Sequence, residues 1–139
     1  MAIQFSSHRT RFKLPYPKKT SAWIEKVVKA ENARIGSLSY VFCTDKYLLG
    51  INQQYLNHDT LTDIITFDYT EKGSKALDGE IFISVQRVRE NAHKLGIDFS
   101  LELHRVIVHG VLHLVGYKDK SVVEEKEMRR REDKYLKVL

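Results

Sequence analysis

The stretch His109-Gly-Val-Leu-His113-Leu-Val-Gly-Tyr-Lys-Asp119 constrains this chain more than any other. Val106, Ile107, Val111, Leu112, Leu114 and Val115 surround both histidines on the helical wheel, the pattern of a helix buried on all faces. Such a helix has little reason to carry two imidazoles. Residues four apart lie one turn apart, so His109 and His113 project side by side, as two ligands of one metal ion must. Gly116 suits the left-handed position just past a helix end, and the returning chain brings Asp119 towards the imidazoles.

His-x-x-x-His, then glycine, then a third ligand is also the spacing of metzincin proteases, which read H-E-x-x-H-x-x-G-x-x-H. Gly110 stands where their general-base glutamate stands, so the group that activates water in a peptidase is missing. The stretch therefore reads as a metal site without peptidase chemistry. With Asp119 it offers two histidines and one carboxylate, a set that suits zinc and also occurs in non-haem iron oxygenases. The competing reading makes both histidines core residues bonded to backbone, and Asp119 a solvated loop residue between Lys118 and Lys120.

A chain of 139 residues is long enough for one domain around one core. No apolar run is long enough to span a bilayer, and the opening Met-Ala-Ile-Gln-Phe-Ser-Ser-His lacks the basic-then-apolar pattern of a signal peptide. A soluble, cytoplasmic protein is the expectation. Cys43 is the one cysteine, so no internal disulfide can form, and its apolar run predicts a buried small side chain. Twenty-three Lys and Arg against 18 Asp and Glu give a net charge of +5, compatible with a polyanionic partner such as RNA without requiring one.

Along the chain, Ala2 to Ser6 reads as a short strand, and Pro15 and Pro17 hold the next segment extended. A helix capped by Thr20 or Ser21 places Trp23, Val27 and Ala30 on one face and stops at Gly36. Ser39 to Thr44 is a strand; Asp45 caps a second helix that ends in the polar loop Asn57-His58-Asp59. Thr62 to Phe67 is a buried strand, and an excursion through Gly73 and Gly79 leads to the strand Glu80 to Ser84. A helix then runs from about Ser84 to Gly96, Ser100 opens the histidine helix, and Ser121-Val-Val-Glu124 is a capping box for a last helix with Met128, Tyr135 and Leu139 turned inwards. Its Arg129-Arg130-Arg131 run reads either as a solvated face among glutamates or as a phosphate contact. Mingled strands and helices predict one α+β domain over residues 1–139: a mixed sheet of about four strands covered by helices, with the histidine helix buried at its centre.

Three stretches resemble the YbeY family, bacterial ribosomal RNA maturation factors described as zinc-dependent endoribonucleases. Ile51-Asn52 followed by Thr62-Asp-Ile-Ile-Thr-Phe67 resembles the family's L-N and T-D-V-L-S-F. Gly79-Glu-Ile-Phe-Ile-Ser84 resembles G-D-I-x-I-S, and the histidine stretch resembles H-G-x-L-H-L-x-G-Y-D-H. The resemblance implies a hydrolase that cuts single-stranded RNA, acts near the 3′ end of the small-subunit ribosomal RNA and associates with ribosomal particles, with neither membrane nor DNA as a partner. It implies His109 and His113 as catalytic metal ligands and Asp119 as the third ligand by position, holding one zinc or another divalent transition metal. Asp119 in place of histidine lowers the charge of such a site by one unit, so a bound water is less acidic.

The family's arginine shortly before T-D-V-L-S-F is replaced here by Leu56, which leaves no cation at that position to clamp a phosphate. Lys46 and Arg105 are the candidate substitutes for contacting nucleic acid, and nearby His58 reads as a polar neighbour or an exposed loop histidine. The reading is a metal-dependent RNA phosphodiesterase with a basic groove for the strand. The alternative is a non-catalytic ribosome-assembly factor whose metal is structural or vestigial.

Overall fold

Leu38, Tyr40 and Phe42 on one strand, and Leu77, Ile81 and Ile83 on its neighbour, occur at every second or fourth position and are all buried, so strand geometry turns each set to one face. They form the centre of the fold in a computed structural model that describes residues 2–57 and 60–139. In chain order the elements are β1 (Ile3–Ser7), α1 (Pro17–Ala30), β2 (Arg34–Cys43), α2 (Asp45–Leu56), β3 (Ile64–Asp68), β4 (Ala76–Ser84), α3 (Val85–Leu95), α4 (Phe99–Val115) and α5 (Val122–Leu136). The sheet runs β1-β2-β4-β3, with β1, β2 and β4 parallel and β3 antiparallel to β4, Thr66 opposite Ile81. This is the mixed four-stranded α+β architecture that the sequence predicts.

The two faces of the sheet are covered differently. On one, Trp23, Ile24, Val27 and Val28 of α1, Val88 of α3 and the apolar side of α4 pack on the central strands, joined by Met128 and Tyr135 of α5. On the other, α2 alone supplies Leu48 and Ile51, which pack with Cys43, Ile65, Phe67 and Phe82. Cys43 is fully buried as expected, and burial, helped by the charge of Asp45, pushes its thiol up to about 12.

Helix α4 lies close on the sheet because glycine occupies both sides of the contact. A Cβ on Gly110 of α4 would come within 2.8 Å of Ile81 Cδ1 and 3.1 Å of Ile64 Cδ1. One on Gly79 of β4 would stand 2.8 Å from the Phe67 carbonyl oxygen and 3.1 Å from both Leu114 methyls. Position 110 thus faces the sheet, with no room for the glutamate of a peptidase. The Tyr40 hydroxyl, fully buried, donates to the Ile107 carbonyl at 2.8 Å and pins α4 to β2 two residues before His109.

Several boundaries differ from the sequence reading. Helix α1 starts at Pro17, not after Thr20 or Ser21: Tyr16 takes a left-handed φ of 51°, and proline's fixed φ and missing N–H suit the first helical position. The helix ends at Ala30, which is exposed, while Ile24 and Val28 complete the buried stripe. Gly36 stops no helix; it lies inside β2 at a register shift, where a Cβ would meet Asp78 Oδ1 at 2.5 Å. Thr44, not Asp45, caps α2, accepting from the Tyr47 N–H, while Asp45 accepts from the Ser84 hydroxyl and Arg87. Asp98 precedes α4, Gly79 sits within β4, and Leu139 is about half exposed instead of turned inwards. Ser84 and Ser121 cap α3 and α5 as expected.

Gly79→Ala should therefore destabilise the fold by about 1–3 kcal/mol, because the rigid Phe67 carbonyl cannot move aside without disturbing the β3–β4 ladder. Urea unfolding measures this; a midpoint equal to that of the unaltered chain would contradict the close approach.

Candidate metal centre

Helix α4 buries its apolar residues and leaves one face partly open, where the side chains of His109 and His113 keep 19% and 29% of their surface. Their rings stand 4.6 Å apart between centroids. After Val115 the chain reverses at Gly116, whose φ of 127° is one that side chains resist and whose N–H returns to the Leu112 and His113 carbonyls. The Tyr117 hydroxyl donates to Glu31 at 2.7 Å, tethering the return to the residue just after α1.

That return places Asp119 Oδ2 3.2 Å from His109 Nε2 and 3.3 Å from His113 Nε2. Tetrahedral coordination with bonds of about 2.0–2.1 Å sets neighbouring ligand atoms about 3.3 Å apart. All three ligand atoms lie within 4.8 Å of one another, and this group can hold a metal ion. The donor set fits a borderline cation such as zinc.

Behind the ligands lies a shell of buried acids. Glu132 of α5, 4% exposed, accepts from His109 Nδ1–H at 2.6 Å, which directs the Nε2 lone pair towards Asp119. Arg105 in turn donates to Glu132 at 3.1 Å and pairs with Asp133 at 2.9 Å. Burial is the largest single influence on His109 and pulls its pKa down; the Glu132 hydrogen bond, with the charges of Glu132, Asp119 and Asp63, outweighs it, so the net shift is upward. Asp63 and Glu102 are both pushed up, chiefly by burial, and Asp63's charge adds to the shift of Glu102.

The ligands open onto a cavity of about 1190 Å³ walled by α4, by β3 with the end of α2, and by the start of α5. His109, His113 and Asp119 meet there. Arg105 also lines it, but its guanidinium is engaged by Glu132 and Asp133. Lys46 lies in the first turn of α2, at the end away from the cavity-lining Asn52 and Leu56. Leu56 stands in the cavity wall, 43% exposed; His58 lies outside the described residues.

Sequence reasoning passed over Glu132 and Asp63. Glu132 follows Met128 by four and precedes Tyr135 by three, so it falls on the buried stripe of α5. An acid on an apolar stripe was the available signal. Asp63, whose carbonyl accepts from the Ser84 N–H at 2.9 Å, had no comparable mark.

Glu132→Gln should weaken metal binding roughly 10- to 100-fold, since the amide no longer holds the Nδ1 proton with a full charge. Competition with a chelating dye measures this, and unchanged affinity would remove Glu132 from the centre. Without metal, the raised His109 pKa contributes stability that is complete below an ordinary imidazole pKa of about 6.5 and is lost as pH rises through the folded value. The raised carboxyls of Asp63 and Glu102 act in the same direction from a lower pH. Metal-free protein should thus unfold more easily as pH rises above about 6.5, and metal-loaded protein less easily, because its ligands must first lose their protons. Parallel denaturation curves with the same pH slope would contradict this.

The model of the family described as Endoribonuclease YbeY matches residues 3–139. A protein named endoribonuclease YbeY from Flavobacterium psychrophilum is 53% identical over 116 residues, covering 84% of this chain and 81% of the relative. One from Amoebophilus asiaticus is 48% identical over 126 residues, covering 91% and 85%, and one from Parabacteroides distasonis is 43% identical over 139 residues, covering 100% and 96%. The solution structure of TM1509 from Thermotoga maritima superposes with a TM-score of 0.67 at 27% identity, over 97% of this chain and 87% of that one. Matched from its first strand to its last residue, and sharing the fold as well as the motifs, the chain belongs to the YbeY family.

Proposed function

We propose that this chain is a metal-dependent endoribonuclease acting on single-stranded RNA, with zinc held by His109, His113 and Asp119. The observation that carries the reading is the meeting of those three ligand atoms on the wall of a cavity of about 1190 Å³, in a chain whose relatives are named endoribonucleases. Bound there, the ion would make a water acidic and polarise a phosphate oxygen. The chain's own residues do the rest. Glu132 keeps the His109 proton on Nδ1 and the ring in place. Asp63 stands in the same cavity wall, its carboxyl pushed up by burial in the absence of metal. The preference for single strands, ribosomal RNA near the 3′ end of the small-subunit molecule as substrate and ribosomal particles as partners rest on the resemblance of the three motifs, and a cytoplasmic setting on the opening residues and the apolar runs of the sequence. No helix among the described residues is long and apolar enough to cross a membrane.

The second reading, a ribosome-assembly factor that does not cut, is favoured by one observation: Leu56 stands exposed in the cavity wall where the family resemblance leads one to expect a cation, and Arg105 is already neutralised. Cleavage of an end-labelled single-stranded RNA separates the two. The unaltered protein, the same protein with a chelator, and His113→Ala prepared identically are compared, with bound metal measured by mass spectrometry. The nuclease reading expects cleavage by the first and only background from the others. Equal cleavage by all three marks a contaminant and counts against it, and metal-loaded protein that cuts nothing supports the assembly factor.

A further inference from the structure

The cations of the cavity are unevenly placed. The wall formed by β3 and the end of α2, with Leu56, Thr60, Thr62 and Thr66 beside Asp63 and Asp68, has no Lys or Arg among the described residues. On the other side, Lys120 in the return loop and Lys126 and Arg129 on α5 line the cavity, with the acid Glu125 among them. Lys126 and Arg129 are three apart, so they share one face of α5.

The three consecutive arginines of α5 have different fates. Arg130 makes two hydrogen bonds to Glu127, at 3.0 and 2.8 Å, and Arg131 binds Glu127 at 3.0 Å and Glu31 at 3.2 Å. Neither lines the cavity. Arg129 does; its side chain is 60% exposed, and Glu132 Oε1 stands 3.9 Å from it, beyond hydrogen-bonding range. Arg105, deeper in the same cavity, is bound by Glu132 and Asp133 and has little left to offer a ligand.

Accepting the ribonuclease reading, we propose that Arg129 is the phosphate-binding arginine of this protein: its guanidinium grips a backbone phosphate beside the metal centre, with Lys126 and Lys120 extending the contact along the α5 side. The strand then lies with its phosphates against α5 and its sugars and bases towards the hydroxyl and apolar groups of β3 and Leu56. A guanidinium grips a phosphate through two parallel N–H groups and so sets its orientation as well as attracting it. That is a positioning role close to the reacting bond, supplied from the wall opposite Leu56.

The test is binding of a fluorescent single-stranded oligoribonucleotide to metal-loaded protein across a range of salt concentrations, for the unaltered chain, Arg129→Gln, Arg129→Lys and Arg130→Gln. Arg129→Gln should bind roughly 10- to 100-fold more weakly at low salt, and the slope of log affinity against log salt should become shallower by about 0.7, the loss of one phosphate contact on a single strand. Arg129→Lys should keep the slope while binding more weakly than arginine. Arg130→Gln, which removes the same net charge outside the cavity, should leave the slope unaltered. An unchanged slope in Arg129→Gln overturns the proposal, whatever its affinity, and so does an equal loss in Arg130→Gln. If the unaltered chain binds and cuts RNA while Arg129→Gln matches it, only the Arg129 assignment falls. If the unaltered chain neither binds nor cuts, the ribonuclease reading falls and takes this assignment with it.

Discussion

The contact on which the rest of the molecule depends is the seating of α4 on β4. It brings Gly110 and Gly79 to opposite sides of one interface, where the helix and sheet backbones approach more closely than side chains would permit. From that seat α4 turns Leu103, Ile107 and Val111 to the core and His109 and His113 to the cavity. One helix is thus both the centre of the hydrophobic core and the carrier of two ligands. Its position is over-determined, by apolar packing and by the Tyr40 hydroxyl on the Ile107 carbonyl, so the imidazoles inherit the rigidity of the core. A site mounted on a loop would lack this support.

Electrostatics around the ligands follows from burying acids beside them. Asp63, Asp119 and Glu132 act on the His109 imidazole, and Arg105 is the counterweight that pairs with Glu132 and Glu102. The upward shifts of Asp63 and Glu102 come chiefly from burial, with the charges of neighbouring acids adding to them. The α5 side of the cavity carries its cations, Lys120, Lys126 and Arg129, interleaved with Glu125. The cavity thus holds acids beside the ligands, where a metal ion fits, and lysines and an arginine along α5 and the loop before it.

Much of this was legible in the residues, because the ligand pair obeys helix periodicity and the third ligand follows a glycine that must end a helix. His109, His113 and Asp119 needed only local geometry. The β-branched and aromatic residues of Ser39 to Thr44 and the apolar run around Ile81 likewise mark two strands of the sheet. What stayed hidden required knowledge of neighbours far along the chain. Gly36 has the same local look as a helix stop, and only the approach of Asp78 shows why a strand needs glycine there. Pro17 could open α1 only because Tyr16 accepts a left-handed backbone, which its identity does not announce. Arg105 looks free in sequence and is engaged by acids from α5, while Arg129 looks like one of three equal arginines until its neighbours are paired off.

Glu31 collects the Tyr117 hydroxyl, the Arg131 guanidinium and the Tyr135 hydroxyl, so the residue that closes the first helix also braces the turn before Asp119 and the last helix. Glu132, on that last helix, orients the first ligand. The ligand set spans only a short stretch of sequence, yet its geometry is completed by side chains from residue 31 and residue 132. On a ribosome still extending the chain, Glu31 would emerge before the histidines and Glu132 after them, so the side chain that aims His109 is the last of the set to arrive. A fully oriented ligand set therefore requires that α5 has formed and docked against α4.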